Sequence, residues 1–441
     1  MIKLMIISSL VLLISITSSK VLYKFGVPIL LIFIGLGMIF GSDGIVGIYF
    51  SDYELTKEIS SIALVIIMFY GGFGTNWSMA KPSALQSILM STLGVIITAT
   101  LTGLFSHIVL KITLLEGLLI GAVVASTDSA SVFAILRSQK LMDNKGISTL
   151  FPMVIKQVVF GLLVGTLLAK CTIFFIRSLK FEIKGFYPIF ILAIAILSYS
   201  LSESLGGNGY LSVYMSGIII GNSSHLPYKK SLFQFFDCIS WIMQIVLFFM
   251  LGLLSFPSKF INIIGISVSI SIFMILVARP VATFITLHPF KYSIKEKLFI
   301  SWVGLRGAAS IVFAIYATTY GVNMTYDIFH IVFFVALFSV SIQGTLLPKF
   351  AKKLDLVDNN TLVLKTFNDY ASDIDRQLIE VNITSDSKLV NKSIEDADIS
   401  EDILILMIKR RGKTIVPKGV TIIEDGDVLV ITGDNLDHIS F

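Results

Sequence analysis

A polytopic α-helical membrane domain followed by a small α+β domain is what the sequence predicts, on three observations. Of the 441 residues, 55% are hydrophobic and only 14% charged, against about 25% charge in an ordinary soluble domain. Apolar runs of about 18 residues or more, each enough to cross a bilayer, recur along the chain. The charges are segregated: residues 1–350 hold 23 positive and 12 negative, residues 351–441 hold 11 and 17. A transmembrane domain over 1–353, a linker over 354–376 and an acidic domain over 377–441 follow from that shift. The net charge of +5 belongs to the membrane part, where it reads as loop charge near anionic lipid, and no nucleic-acid partner is implied.

The first apolar run follows a single lysine, and "SSKVLYKFG" makes a poor cleavage site, so residues 2–19 read as a membrane helix and not as a removed leader. Further helices are predicted near 27–40, 59–78, 85–110, 114–137, 151–177, 185–204, 209–222, 233–256, 260–288, 296–320 and 326–350, twelve in all. Those near 27–40 and 209–222 are short, as broken or partly re-entrant segments of transporters are. Cys171 and Cys238 lie in apolar segments and read as packing residues with no disulfide framework.

Lysine and arginine favour cytoplasmic loops. Lys349, Lys352 and Lys353 place the C-terminal end of the membrane domain, and so the acidic domain, inside. The 321–325 loop has no lysine or arginine and reads as outside, while Lys291 with Lys295, Lys229 with Lys230, and Arg177 with Lys180 and Lys184 also mark inside loops. From the front, Lys20 and Lys24, then Arg137, Lys140 and Lys145, mark inside loops too. Two inside loops then flank the single segment 151–177, so either that segment does not span or a helix is absent between about 145 and 180. Lys156 and Gln157 near its start fit a partly interfacial segment.

Charged groups inside the apolar segments are few, and each costs several kcal/mol to bury in lipid, which makes it a candidate for function. Asp128 sits in "ASTDSAS", among Ser126, Thr127, Ser129 and Ser131. Hydroxyls and a carboxylate are hard oxygen ligands, suited to an alkali cation or a proton and not to zinc or copper. Arg306 lies in "FISWVGLRGAASIVFAIY" between Gly304 and Gly307, where a helix can break. Asp128 and Arg306 are a core pair or part of an ion site. Glu203 lies near a helix end, within reach of interface water. Asp237 and Arg279 read as structural ahead of functional. Glu116 opens a helix, where a carboxylate is favourable. The five histidines show no metal spacing, and no nucleophile elbow or phosphate loop occurs, so a non-enzymatic function is expected.

In the tail, "DRQLIEVNIT" reads as a strand, "SKLVNKSIEDADI" as a short helix, "DILILMIKRRG" and "KTIVP" as strands, and "VTIIEDGDVLVITG" as a strand pair around Asp425–Gly426. At about 65 residues such a module is small for independent stability, which favours dimerisation. "IKRRGK" could receive a phosphorylated ligand or be a solvated basic turn.

The stretches "GAVVASTDSASVFAILRS", "GNGYLSVYMSGIIIGN", "FDCISWIMQIVLFFMLGLLSFPS" and "FISWVGLRGAASIVFAI" resemble the cation:proton antiporter-1 family, in particular its potassium/proton antiporter branch. The tail from "LVNKSIEDADI" to "VLVITG" resembles the RCK C-terminal (TrkA-C) domain. The resemblance implies a sodium/proton-antiporter-like inverted-repeat fold with two crossed, unwound helices, an exchange of potassium or sodium for protons by alternating access, a homodimer, and a plasma-membrane location. It matches Thr127 and Asp128 to the family's Thr-Asp pair, Arg306 to the arginine of its "GLRG" motif, and Glu203 to a carboxylate upstream of a glycine-rich stretch. No cofactor is implied; cyclic di-AMP or a nucleotide is a regulator of related C-terminal domains. The family's next helix carries an acidic-Ser-x-x-Asn-Asp pattern, and residues 1–350 contain no Asn-Asp pair. "GISTL" (Gly146–Leu150) runs directly into "FPMVIKQVVFGLLVG", so that helix is expected to be missing, leaving about twelve segments against the family's thirteen. A cation/proton antiporter is the first reading. A transport-inactive relative serving as a ligand-sensing membrane scaffold is the alternative, and a channel ranks behind both.

Overall fold

The computed structural model describes residues 2–23, 28–125, 150–178, 181–319 and 325–356, and then 378–385, 387, 389–397, 399, 403–410 and 413–433. The chain divides into two compact units, Met1–Val357 and Asp358–Phe441.

The first unit is helical. Helices α1 (Ile2–Tyr23), α2 (Leu30–Phe40) and α3 (Tyr53–Gly74) open it. Helix α4 spans Trp77–Leu110 through a π turn at Met90–Gly94. Then come α5 (Leu114–Ala125), α6 (Leu150–Ser178), α7 (Phe186–Ser204), α8 (Gly209–Gly221) and α9 (Lys229–Leu254). Helix α10 starts at Phe260 and passes through a second π turn, Met274–Ala278, to Thr286. Helices α11 (Ile294–Val303) and α12 (Ala308–Thr319) form one span bent by 49°. Helix α13 covers Ile328–Lys353. Each predicted segment overlaps one of these. That over 114–137 is described as far as Ala125, and that over 296–320 is two helices.

Among the described residues, seven helices are long and apolar enough to cross a membrane, and the bent pair makes an eighth. At 11 and 13 residues, α2 and α8 reach about 16–20 Å at 1.5 Å per residue, well short of a hydrocarbon core of about 30 Å. Local chemistry sets several helix starts. The carboxylate of Asp52 accepts from Leu55 N–H and the side chain of Asn208 from Leu211 N–H. Ser293 and Glu296 form a capping box at α11, satisfying amides that a helix start leaves without partners.

The helices pack crosswise. The short α2 lies on α9, and the short α8 lies on α3. Glycines permit both contacts: a Cβ on Gly37 would stand 2.2 Å from the Phe249 carbonyl oxygen, and one on Gly217 would stand 2.5 Å from that of Phe69. Backbones this close are what small residues allow between membrane helices. Since α2 precedes α3 as α8 precedes α9, the exchange of partners is the signature of two structural repeats. The π turns fall in step with it, one in α4 and one in α10. Helices α4, α5 and α10–α13 pack together as one bundle, α2, α3 and α6–α9 as another, and α12 touches α3 and α9 across the seam. There Ser61 Oγ and Tyr316 Oη lie 2.7 Å apart. Cys171 and Cys238, expected as packing residues, are free thiols on exposed positions of α6 and α9.

The second unit is a four-stranded antiparallel sheet in the order β1-β4-β2-β3, with β1 at Leu378–Asn382, β2 at Ile403–Arg410, β3 at Lys413–Ile415 and β4 at Val428–Gly433. A bulge between Ile405 and Met407 shifts the alternation of β2, so that Ile405 and Ile408 both face the core beside Leu429, Ile431, Ile383 and Ile423. Two local expectations are corrected. The described part of "SKLVNKSIEDADI" runs as turns, because Asn391 takes a left-handed conformation (φ 65°) that interrupts a helix. The expected strand pair around Asp425–Gly426 is one strand: the turn is there, with Gly426 at φ 81°, but residue Ile422 makes only an isolated bridge to Ser393 while β4 pairs with β1 and β2.

Candidate functional site

The break between α11 and α12 is where the sequence allows one. Gly304 and Gly307 lack side chains to enforce helical geometry, and the chain leaves the helix at Gly304 and resumes it at Ala308. A broken helix exposes carbonyls at its first half and amides at its second. Here a polar cluster from α13 takes up part of both. Gln343 Nε2 donates to the Trp302 carbonyl at 3.1 Å, and Trp302 Nε1 returns a bond to the Gln343 carbonyl at 3.3 Å. Ser339 Oγ donates to Gln343 Oε1 at 2.5 Å and accepts from the Arg306 amide at 3.1 Å. Gln343 lies within a π turn at Val340–Gly344 that begins directly after Ser339.

Arg306 fills the break. Its side chain is buried, with 1% exposure. Nη1 donates to the Ala125 carbonyl at 2.7 Å, and Nε lies 3.3 Å from Met274 Sδ at the start of the α10 π turn. One guanidinium thus ties α5 and α10 to the break. Nη2 has no hydrogen-bond partner among the described residues. Arg279, the first residue after that π turn, lies against the same break: a Cβ on Gly304 would stand 2.4 Å from its Nε. Arg279 is buried as well, and its Nε and Nη1 have no partner among the described residues. Two buried guanidiniums side by side with no described carboxylate between them are a strongly positive centre in low dielectric.

The other expected site residues divide as follows. Ser126, Thr127 and Asp128, including the alkali-cation assignment of Asp128, lie outside the described residues, as does the position of the helix expected to be missing. Ala125, which receives Arg306, is the residue immediately before them. Glu203 Oε1 accepts from Gly209 N–H at 2.9 Å and holds the turn from α7 into α8. Asp237 on α9 accepts from Tyr70 Oη on α3 at 2.6 Å. Both belong to the bundle that excludes Arg306. Among the described residues no group of three metal-ligating side chains occurs. Ser339, Gln343 and Met274 were not singled out in the sequence. The polar "SVSIQG" inside apolar α13 was a signal for the first two; nothing local marked Met274.

In the C-terminal domain, Arg410 binds Asp427 through two bonds of 2.7 Å, and Lys409 pairs with Glu380. These partners occupy two of the three described cations of "IKRRGK"; the third, Lys413, opens β3. A separate cleft of about 320 Å³ is lined by Ile394, Ile399, Ile403, Pro417 and Lys418.

Comparisons with known proteins agree with this architecture. The family described as sodium/hydrogen exchanger, transmembrane, matches residues 8–155 and 145–353, two pieces that meet at 145–155, and the TrkA-C domain matches residues 378–437. The K(+)/H(+) antiporter NhaP2 of Shewanella sp. (strain ANA-3) is 30% identical over 97% of this chain and 80% of its own length. The K(+)/H(+) antiporter NhaP of Alkalimonas amylolytica is 31% identical over 92% and 77%. The structure of the sodium proton antiporter MjNhaP1 from Methanocaldococcus jannaschii covers 80% of this chain and 99% of its own at a TM-score of 0.64 and 22% identity, which is a likeness of fold.

Proposed function

The chain belongs to the sodium/hydrogen exchanger family and carries a TrkA-C domain, and on that premise we propose that it is a multi-pass membrane antiporter exchanging a monovalent cation for protons. Potassium comes first and sodium second, because relatives named as K(+)/H(+) antiporters match over nearly the whole chain. The comparisons give the transport-inactive alternative no support. The observation that carries the reading is the bond from Arg306 Nη1 to the Ala125 carbonyl at the break of α11 and α12. It places a buried cation beside the residue that leads into Ser126, Thr127 and Asp128.

In this reading those three residues supply the hard oxygens for which a dehydrated alkali cation and a proton compete. Arg306 and Arg279 keep the nearby field positive, which prevents the site from holding a cation too tightly. Alternating access then moves the site between the two sides. The C-terminal domain faces the cytoplasm, on the side of Lys349, Lys352 and Lys353, and regulates exchange. Its cleft with Lys418 at the rim is where an anionic small molecule such as cyclic di-AMP or a nucleotide would bind. The working unit is a homodimer.

The test is flux. In proteoliposomes of the full chain, potassium added outside is expected to enter in exchange for lumenal protons and so to alkalinise the lumen, with sodium acting less strongly. Asp128→Asn is expected to abolish this. Flux that survives Asp128→Asn overturns the site assignment. Absence of flux with either cation, restored by inserting an Asn-Asp helix after Leu150, overturns exchange by this chain.

A further inference from the structure

Beside the break lies a cleft of about 420 Å³ lined by Arg279, Phe299, Ile300, Val303, Gly304 and Leu305. Four of these walls are apolar side chains, and the remaining side chain is a guanidinium. Arg279 is only 8% exposed, yet its Nε and Nη1 donate to nothing among the described residues. A buried cation with unmet donors is costly, and removing that cost takes an anion with oxygens to accept them. The neighbouring cation, Arg306, adds to the positive field, and the acceptor it has found is the Ala125 carbonyl.

One wall of the cleft, at Val303, reaches the apolar surface of the membrane unit. Val303, in its wall, is 42% exposed, and Leu276 and Val277 on the adjoining face of α10 are 63% and 41% exposed. An occupant therefore enters from the bilayer. Its volume is many times the roughly 30 Å³ share of one water, far more than a bare halide or phosphate fills, and the excess is walled by Phe299, Ile300, Val303 and Leu305. Guanidinium at one end and hydrocarbon at the other match an oxyanion head carried on an acyl chain.

We propose that this cleft seats a membrane amphiphile, its phosphate or carboxylate head bound to Arg279 and its acyl chain on the apolar wall. Gly304 and Leu305 belong both to the cleft and to the break that Arg306 fills, so the bound amphiphile braces the broken span. The site is independent of which ion the protein exchanges.

The test uses the full chain, purified and stripped of lipid in detergent. Thermal unfolding and native mass spectrometry are recorded with added phosphatidylglycerol, oleate, inorganic phosphate or uncharged monoolein. Phosphatidylglycerol or oleate is expected to bind singly and raise the unfolding temperature; whichever acts identifies a lipid phosphate or a free carboxylate as the head. Arg279→Gln is expected to weaken that binding about ten-fold or more, the loss of charge-assisted hydrogen bonds. Should Arg279→Gln fail to fold, Ile300→Trp fills the cleft with Arg279 intact and is expected to abolish the same gain. An equal gain from monoolein, an equal gain from inorganic phosphate, or a gain that survives the available variant overturns the proposal.

Discussion

Arg306 Nη1 donates to the carbonyl oxygen of Ala125 at 2.7 Å, joining the break in one span to the last described residue of another. The same side chain reaches Met274 Sδ, so one planar fork ties α5 and α10 to the break. Lysine keeps the charge but presents a single ammonium on a flexible stem and cannot meet both acceptors. Arg306→Lys is therefore expected to lose roughly 2 kcal/mol of stability, the scale of a hydrogen bond to a charged group. Cation-driven proton flux is expected to fall with it. Thermal unfolding and flux of the same preparation check this, and a variant with wild-type values for both would show that charge alone matters at this position.

Gly217 on α8 meets the backbone of α3, and a Cβ there would stand 2.5 Å from the Phe69 carbonyl oxygen and 2.9 Å from the Phe73 nitrogen. Both neighbours are main chain inside a helix and cannot turn aside. Gly217→Val is expected to push α8 off α3 and to abolish the monodisperse peak in size-exclusion chromatography, beyond the usual 1–3 kcal/mol or so of core overpacking. Gly265 on α10 has nothing within 4 Å of an added Cβ. Gly265→Ala is expected to be neutral or stabilising by up to about 1 kcal/mol, from helix propensity.

Much of this architecture was legible because membrane sequences reveal helices through unbroken apolar length and breaks through glycine. The pair Gly304 and Gly307 around Arg306 announced the discontinuity, and the short helices at Leu30–Phe40 and Gly209–Gly221 were visible in their brevity. What stayed hidden depends on partners distant in sequence. Gln343 serves the Trp302 carbonyl only because α13 packs beside α11. Arg279 becomes part of the centre only because Gly304 leaves room for it. In the C-terminal domain, Leu389, Val390 and Ile394 have helical spacing, yet the left-handed Asn391 and the bridge from Ser393 to Ile422 draw the segment into turns.

Glu203 accepts the Gly209 amide at 2.9 Å where α7 turns into α8. A glutamine oxygen can accept the same bond. Glu203→Gln is expected to leave both stability and cation-driven proton flux near wild type, whereas Glu203→Ala is expected to cost about 1 kcal/mol, the scale of a lost helix-start acceptor. A Glu203→Gln variant that folds normally and loses flux would instead make this carboxylate a participant in proton transfer.

The C-terminal sheet offers a pH test with a definite sign. Asp427 is fully buried and accepts two bonds of 2.7 Å from Arg410 and one of 2.9 Å from the Glu424 amide. Burial alone pushes its carboxyl up, but the hydrogen bonds and charge of Arg410 outweigh that and hold it below the ordinary 3.8. A carboxylate lowered on folding contributes stability that is fully present above its unfolded value and is lost as pH falls through the folded one. Amide exchange of β2 and β4 in the full chain should accordingly be slow and steady from about pH 5 to 7, after correction for intrinsic rates, and protection should fall below about pH 4. Asp427→Asn is expected to reduce that pH dependence and to cost less than the loss of a wholly buried pair, because Arg410 still reaches Glu424 and the Ile422 carbonyl. Protection that stays flat into acid in the unmodified chain would mean that the Arg410–Asp427 pair adds little to the stability of the sheet.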